Sequence, residues 1–188
     1  MDFSLLISEI KSFQSSLVEL SKSYDTLPDK ELNKSLGESV KQIPRTDGKW
    51  SGEAGNSNWH PDKDLIPKKF NDTQKTWGKI LEENKIDSIS FKEGEPDFSV
   101  ISKGTVEIES FSDVRYGVGG NFDQANHQLA DYKGCTKQEV QNWMKENNYT
   151  WHERSDCRTM DKVPREIHNN INHSGGISVI KKQIEYGR

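Results

Sequence analysis

The 188-residue chain carries 26 Lys and Arg against 30 Asp and Glu, a formal net charge of -4, and only 31% of its residues are hydrophobic. That balance argues against a protein held to nucleic acid by one broad basic face, and no apolar run approaches the ~20 residues that span a bilayer. Two cysteines, Cys135 and Cys157, are too few for a disulfide framework and form no CxxC zinc pair.

Five Trp, seven Phe and five Tyr still supply concentrated apolar area, so the expectation is a folded core under long polar loops, with room for one good core or two small ones. Met1-Asp2-Phe3 lacks the basic start of a signal peptide. If the protein leaves its cell, something else is expected to carry it out.

In chain order, residues 2 to about 40 read as helical. Leu6, Ile10, Phe13, Leu17 and Leu20 form one stripe, broken at Pro28-Asp29. Residues 44 to 64 read as a Gly- and Asn-rich loop whose Trp50 and Trp59 fold back over a core, with His60 exposed. Lys68 to Asn84 reads as a helix with Phe70, Trp77, Ile80 and Leu81 inward. Ile86 to Phe91 reads as a strand and Gly94-Glu95-Pro96-Asp97 as a turn. Phe98 to Ile101 and Thr105 to Phe111 read as a hairpin around Lys103-Gly104. Carboxylates Glu95, Asp97, Glu107 and Glu109 gather in this region. The strand Glu107-Ile108-Glu109 lacks the lysine of a restriction-type metal site, so a solvated hairpin face is the better reading. The glycines of Tyr116 to Gly120 lack the strand and helix context of a dinucleotide site. Asn121 to Tyr132 reads as a helix with Phe122, Ala125, Leu129 and Ala130 inward. Thr136-x-x-Glu139 is a capping box opening a helix over Lys137 to Asn147.

The last quarter of the chain concentrates the chemistry. Tyr149 to Arg154 reads as a strand and Arg158 to Val163 as its antiparallel partner across Ser155-Asp156-Cys157. Pro164 fits the first turn of a helix over about Arg165 to Asn172, which Gly175-Gly176 ends. Strand, strand and helix within about 30 residues cannot bury a core alone, so the unit needs a metal or the preceding scaffold. Three of five histidines lie here: His152, His168 and His173. On an ideal helix His168 and His173 are about 140° apart around the axis, so both can bind one ion only if the helix ends near Asn170. Neighbours on a strand point oppositely, so either His152 or Glu153 naturally faces such an ion. Imidazole with carboxylate or water suits Zn, Ni, Mn or Mg.

These pieces, Thr150-Trp151-His152-Glu153, Asp156, Thr159-Met160, Val163-Pro164, Ile167-His168 and His173-Ser174-Gly175-Gly176, resemble the HNH nucleases of ββα-metal fold. The bacterial toxin subfamily with a Trp-His-His or Trp-His-Glu motif is the nearest in pattern. Upstream, Gly94-Glu95-Pro96-Asp97-Phe98, Val106-Glu107-Ile108, Arg115 and Asn121-Phe122-x-Gln124-Ala125 extend the resemblance to roughly Trp50 to Ile180.

The expected fold is α+β, with N-terminal helices and a small antiparallel sheet with helices, ending in the ββα-metal motif that the resemblance implies. The expected division is a helical segment (1–45), an α+β scaffold (46–135) and, where the resemblance is strongest, a nuclease core (136–188). The resemblance implies a metal-dependent endonuclease toxin acting on DNA, with RNA as the rival substrate, used against competing bacteria and neutralised by an immunity protein. Such a domain travels as part of a larger exported toxin and acts in the target-cell cytoplasm. It implies one divalent ion on His168, His173 and His152. His152 and Glu153 share the roles of ligand and base, and the order is open because Glu153 stands where relatives have a second histidine. Arg154 and Arg158 are candidates for holding phosphate. Thr136 to Arg188 holds nine Lys and Arg against seven Asp and Glu, only mildly basic. A non-catalytic module with structural zinc, or an inactive domain within a secreted carrier, would carry the same histidines.

Overall fold

The computed structural model describes residues 42–187; the helical expectation for residues 2 to about 40 lies outside them. Among the described residues the fold is α+β, with two small antiparallel sheets and five helices. The first sheet runs in the order β1 (Gly48–Trp50), β2 (Asn58–Pro61), β3 (Ile89–Lys92) and β4 (Glu95–Pro96). The second has the order β5 (Thr105–Glu107), β7 (Thr159–Pro164), β6 (Tyr149–Glu153).

Each face of the second sheet has its own core, because alternate side chains on a strand point to opposite faces. On one side Val163 joins Trp59, Trp77, Ile80, Leu81, Ile89, Phe91 and Phe98, linking the sheet to β2, β3 and the helix α1 (Trp77–Glu83). On the other, Trp151, Met160 and Val106 pack against Ala125, Leu129, Val140 and Met144. Those last four come from α2 (Asn121–Lys133) and α3 (Lys137–Glu146). The capping box of Thr136 and Glu139 is present as expected, and Trp151 Nε1 donates to Asn126 Oδ1 at 2.9 Å, satisfying the polar end of a buried indole.

Several expected elements are redrawn. The loop containing Trp50 and Trp59 is a hairpin, β1 pairing with β2. Trp59 is a core residue set edge-on to Trp77 at 5.8 Å. The helix expected from Lys68 begins only at Trp77, where Thr76 caps it by accepting from Lys79 N–H. Before it, the Asn71 side chain donates to the carbonyls of Pro67 and Lys75 and accepts from Lys75 N–H. Phe70 and Gln74 take positive φ, which a helix does not allow. Phe70 is consequently exposed rather than inward.

Glu93-Gly94 forms a two-residue turn with φ of 53° and 83° between β3 and β4, the signature of a tight hairpin turn. Phe98 to Ile101 is not a strand: Ser99–Ile101 is a short 3-10 helix. The other half of that expected hairpin, β5, pairs instead with β7. The helix expected over Arg165 to Asn172 is a single turn, α4 (Arg165–His168). Gly176, read as part of a helix stop, instead begins α5 (Gly176–Tyr186).

Candidate metal centre

His152 lies on β6 opposite Asp161 of β7. Trp151 and Glu153 point to the α2 side, and His152 points to the other, where its ring meets Phe98 edge-on at 4.9 Å. His168 is the last residue of α4. The chain leaves the helix there because Asn170 turns back, donating to Glu166 O at 2.8 Å and Lys69 O at 2.7 Å and accepting from Lys69 N–H at 2.9 Å. This early ending lets His173 swing back, as the spacing of the two histidines requires. The Gly-Gly pair allows a close approach: a Cβ on Gly175 would lie 2.5 Å from Glu153 O, and one on Gly176 would lie 2.5 Å from Arg154 O. Only bare backbone fits over the end of β6 there.

The three rings come together. Centroids are 5.3 Å apart for His152 and His168, 5.0 Å for His152 and His173, and 4.7 Å for His168 and His173. One nitrogen from each ring lies within 4.8 Å of the others. Phe98 touches all three rings, with centroids 4.9, 5.7 and 5.6 Å away, and forms an apolar wall.

Burial pushes the pKa of His168 well below its ordinary value, helped by repulsion from His173 and His152. Burial and His152 bring His173 down to about 4. Both are therefore neutral at pH 7, the form in which imidazole binds metal.

The hydrogen bonds fix which nitrogens converge. His173 Nδ1 lies 2.9 Å from Ile171 O and His168 Nδ1 lies 3.4 Å from Asn169 Oδ1. Protons on those nitrogens leave Nε2 of each ring as a lone pair. His152 Nδ1 stands 3.3 Å from His168 Nε2, about the separation of two nitrogens in a tetrahedral shell with bonds of ~2.0 Å. Facing lone pairs repel unless a proton or a cation lies between them. The residues therefore fit a divalent ion, and the donor set is three imidazoles. Among the described residues, no other group of three His, Cys, Asp or Glu has ligand spacing.

Glu153, 4% exposed, is bound on both oxygens. Arg115 Nε and Nη2 reach Oε2 at 2.7 and 2.6 Å, and Asn121 donates to Oε1 at 2.9 Å. Arg154 holds Asp161 with two bonds, 2.6 and 3.0 Å. Arg158, largely exposed, pairs with Glu107 at 2.6 Å. Both arginines proposed for phosphate thus have carboxylate partners already. His60 and His127 are exposed and apart from the cluster.

The four carboxylates weighed as a restriction-type site do not converge. Asp97 accepts from Ser99 N–H and Glu107 from Arg158. Glu95 accepts from the backbone N–H and the hydroxyl of Ser155. Burial works against ionising Glu95, but the nearby His152 ring and the Ser155 hydrogen bonds outweigh it and lower its pKa. Sequence reasoning assigned no role to Arg115, Asn121 or Phe98, although all three lie in the stretches that carry the resemblance.

Residues 88–175 match a family model described as the DNase/tRNase domain of colicin-like bacteriocin. The match supports a nuclease toxin domain. It spans just under half of the chain and takes in Glu95, Phe98, Arg115, Asn121, Glu153 and all three clustered histidines. No curated protein matches the chain. No described helix is long and apolar enough to cross a membrane.

Proposed function

We propose that this chain carries a metal-dependent endonuclease of the HNH type, the active part of an antibacterial toxin that hydrolyses phosphodiester bonds of DNA. The observation that carries the proposal is the convergence of His152, His168 and His173 on one point, inside a segment similar to a bacteriocin nuclease domain. Three protein ligands leave a coordination position open, whereas structural zinc closes its shell with four; that favours catalysis over a purely structural site.

In this reading His152, His168 and His173 hold the divalent ion, drawn from Zn, Ni, Mn and Mg. Its chemistry would be to stabilise charge on the scissile phosphate and the leaving 3′ oxygen. His152 is committed to the ion by its position, and Glu153, with both oxygens bound on the opposite face of β6, serves as the anchor of Arg115 rather than as the acceptor of a proton from water on the ion. Arg115 and Asn121 hold that carboxylate in one orientation. The Arg115 side chain is 40% exposed, so its outer N–H groups can reach a phosphate oxygen while Glu153 anchors the rest. Arg154 and Arg158 contribute to phosphate binding by position on the same hairpin, in competition with Asp161 and Glu107.

The matched family covers both DNase and tRNase domains, so an RNase of the same fold is the second reading. An immunity protein that masks this site, delivery as part of a larger exported toxin, and action in the target-cell cytoplasm belong to the same proposal. The test is digestion of plasmid DNA and of tRNA with each of the four ions, with and without EDTA. Cutting of DNA that EDTA abolishes and His168→Ala removes is expected. Cutting of tRNA alone selects the second reading, and cutting of neither with any ion ends the enzyme proposal.

A further inference from the structure

We infer that Glu95 is the positioning carboxylate that fixes the proton of His152 on Nε2 and turns its Nδ1 lone pair toward the cation. The inference rests on the reading of the three histidines as a cation site.

His152 is 1% exposed, and its Nε2 is a buried polar atom with no hydrogen-bond partner. A buried N–H without an acceptor is costly, on the order of 1–3 kcal/mol, so something must explain a proton there. The nearest charged acceptor is Glu95 Oε1, 3.8 Å away, just beyond hydrogen-bond length. The carboxylate is held where it is. β4 brings it to the site after the tight Glu93-Gly94 turn, and the Ser155 N–H binds Oε1 at 2.6 Å while the Ser155 hydroxyl binds Oε2. Ser155 lies two residues past the end of β6, so the segment that carries His152 also fastens the carboxylate beside it.

Glu95 is not itself a ligand of the same rank. It falls outside the set of side chains whose donor atoms lie within 4.8 Å of one another. Its place is behind the ring, on the side away from His168. The other two imidazoles have backbone or amide acceptors for their outer nitrogens, Ile171 O and Asn169 Oδ1. Only His152 faces a carboxylate. An imidazole whose outer N–H points at a carboxylate has a defined tautomer and a more basic inner nitrogen, and loss of such a partner typically costs 10–100-fold in metal affinity. Glu95 also places one negative charge beside the three imidazoles.

The test uses the full chain and Zn2+. Affinity is measured by competition with a chromophoric chelator, and the His152 tautomer is read from long-range proton–nitrogen imidazole spectra of the metal-free protein. The wild type is expected to show His152 protonated at Nε2. Glu95→Ala is expected to bind Zn2+ 10–100-fold more weakly and to lose that single-tautomer signature. Glu95→Gln, whose amide oxygen still accepts, should keep the tautomer and most of the affinity. Ser155→Ala, which keeps the backbone donor, should stay near wild type. A wild-type His152 protonated at Nδ1 overturns the inference without recourse to any variant, as does a folded Glu95→Ala with unchanged affinity and spectrum. If the wild type binds no Zn2+, the cation site itself is refuted, a result distinct from either of these.

Discussion

Glu153 and His152 are neighbours on one strand, and the structure gives them different surroundings. His152 sits among imidazoles and Phe98, while Glu153 is pinned by Arg115 and Asn121 on the other face. If Glu153 anchors Arg115 against a phosphate oxygen, Glu153→Gln should keep the fold and Zn2+ binding and lower the cleavage rate by about 10-fold or more, the loss of one charge-assisted hydrogen bond. Equal rates for the variant and the wild type in a plasmid-nicking assay would remove Glu153 from that role.

The histidines also predict a pH dependence. His168 and His173 have lower pKa values in the folded protein than the ~6.5 of an unfolded chain. Below ~6.5 the unfolded state takes up protons that the folded state refuses. The stability they contribute is therefore complete above that pH and is lost as pH falls toward about 4, where His173 charges. In EDTA, denaturant midpoints should drop from pH 7 to pH 4.5, and His173→Gln should flatten the drop. A wild-type midpoint that stays level across that range would contradict this account.

At the scale of elements, the histidine site depends on a short helix that stops on time and on glycines that admit a close crossing. Gly175 has ordinary extended backbone, φ -139°, so a side chain there is resisted by contact alone. Gly175→Ala would push against Glu153 O from 2.5 Å. It should cost about 1–3 kcal/mol as an overpacking change and weaken Zn2+ binding by displacing His173. Thr136→Ala, at the far cap of α3, should cost about 0.5–2 kcal/mol and leave cleavage unchanged. Thermal melts and metal titrations on the two variants together separate a local site effect from general loss of stability.

This is also the scale at which the sequence was most legible. The ββα order, the turn at Ser155 to Cys157, α2, and the capping box all follow from local signals: strand-forming residues, Pro164 and Thr136-x-x-Glu139. The missed elements depended on distant partners. β1 and β2 are three and four residues long and exist because they pair with each other and β2 pairs with β3. β5 found β7, some 55 residues on, rather than the neighbouring segment. The late start of α1 comes from the Asn71 side chain satisfying backbone groups that a helix would have used.

At the scale of the described chain, the three-stranded sheet is a septum between two cores, and the histidines lie on the Phe98 side of it. Their convergence was visible in the sequence only as a spacing. The third dimension was supplied by Asn170 tying the loop after α4 to Lys69, 101 residues earlier. The contacts of Glu95 and Arg115 were not legible, because each residue comes from a separate segment and its partner is fixed only by the fold. Core integrity and chemistry should therefore separate on mutation. Trp59→Ala, in the core of the first sheet, should cost about 3–5 kcal/mol and reduce activity only in proportion to the protein unfolded, measured as kcat per folded molecule.

The most direct measurement is a calorimetric titration of the EDTA-treated, dialysed full chain with Zn2+, paired with His168→Ala/His173→Ala. The account predicts one ion per chain for the wild type, none for the double variant with its fold intact by circular dichroism, and nucleic-acid cleavage lost in step with the ion. Equal binding by both proteins, or cleavage by the folded double variant at the wild-type rate, would contradict it.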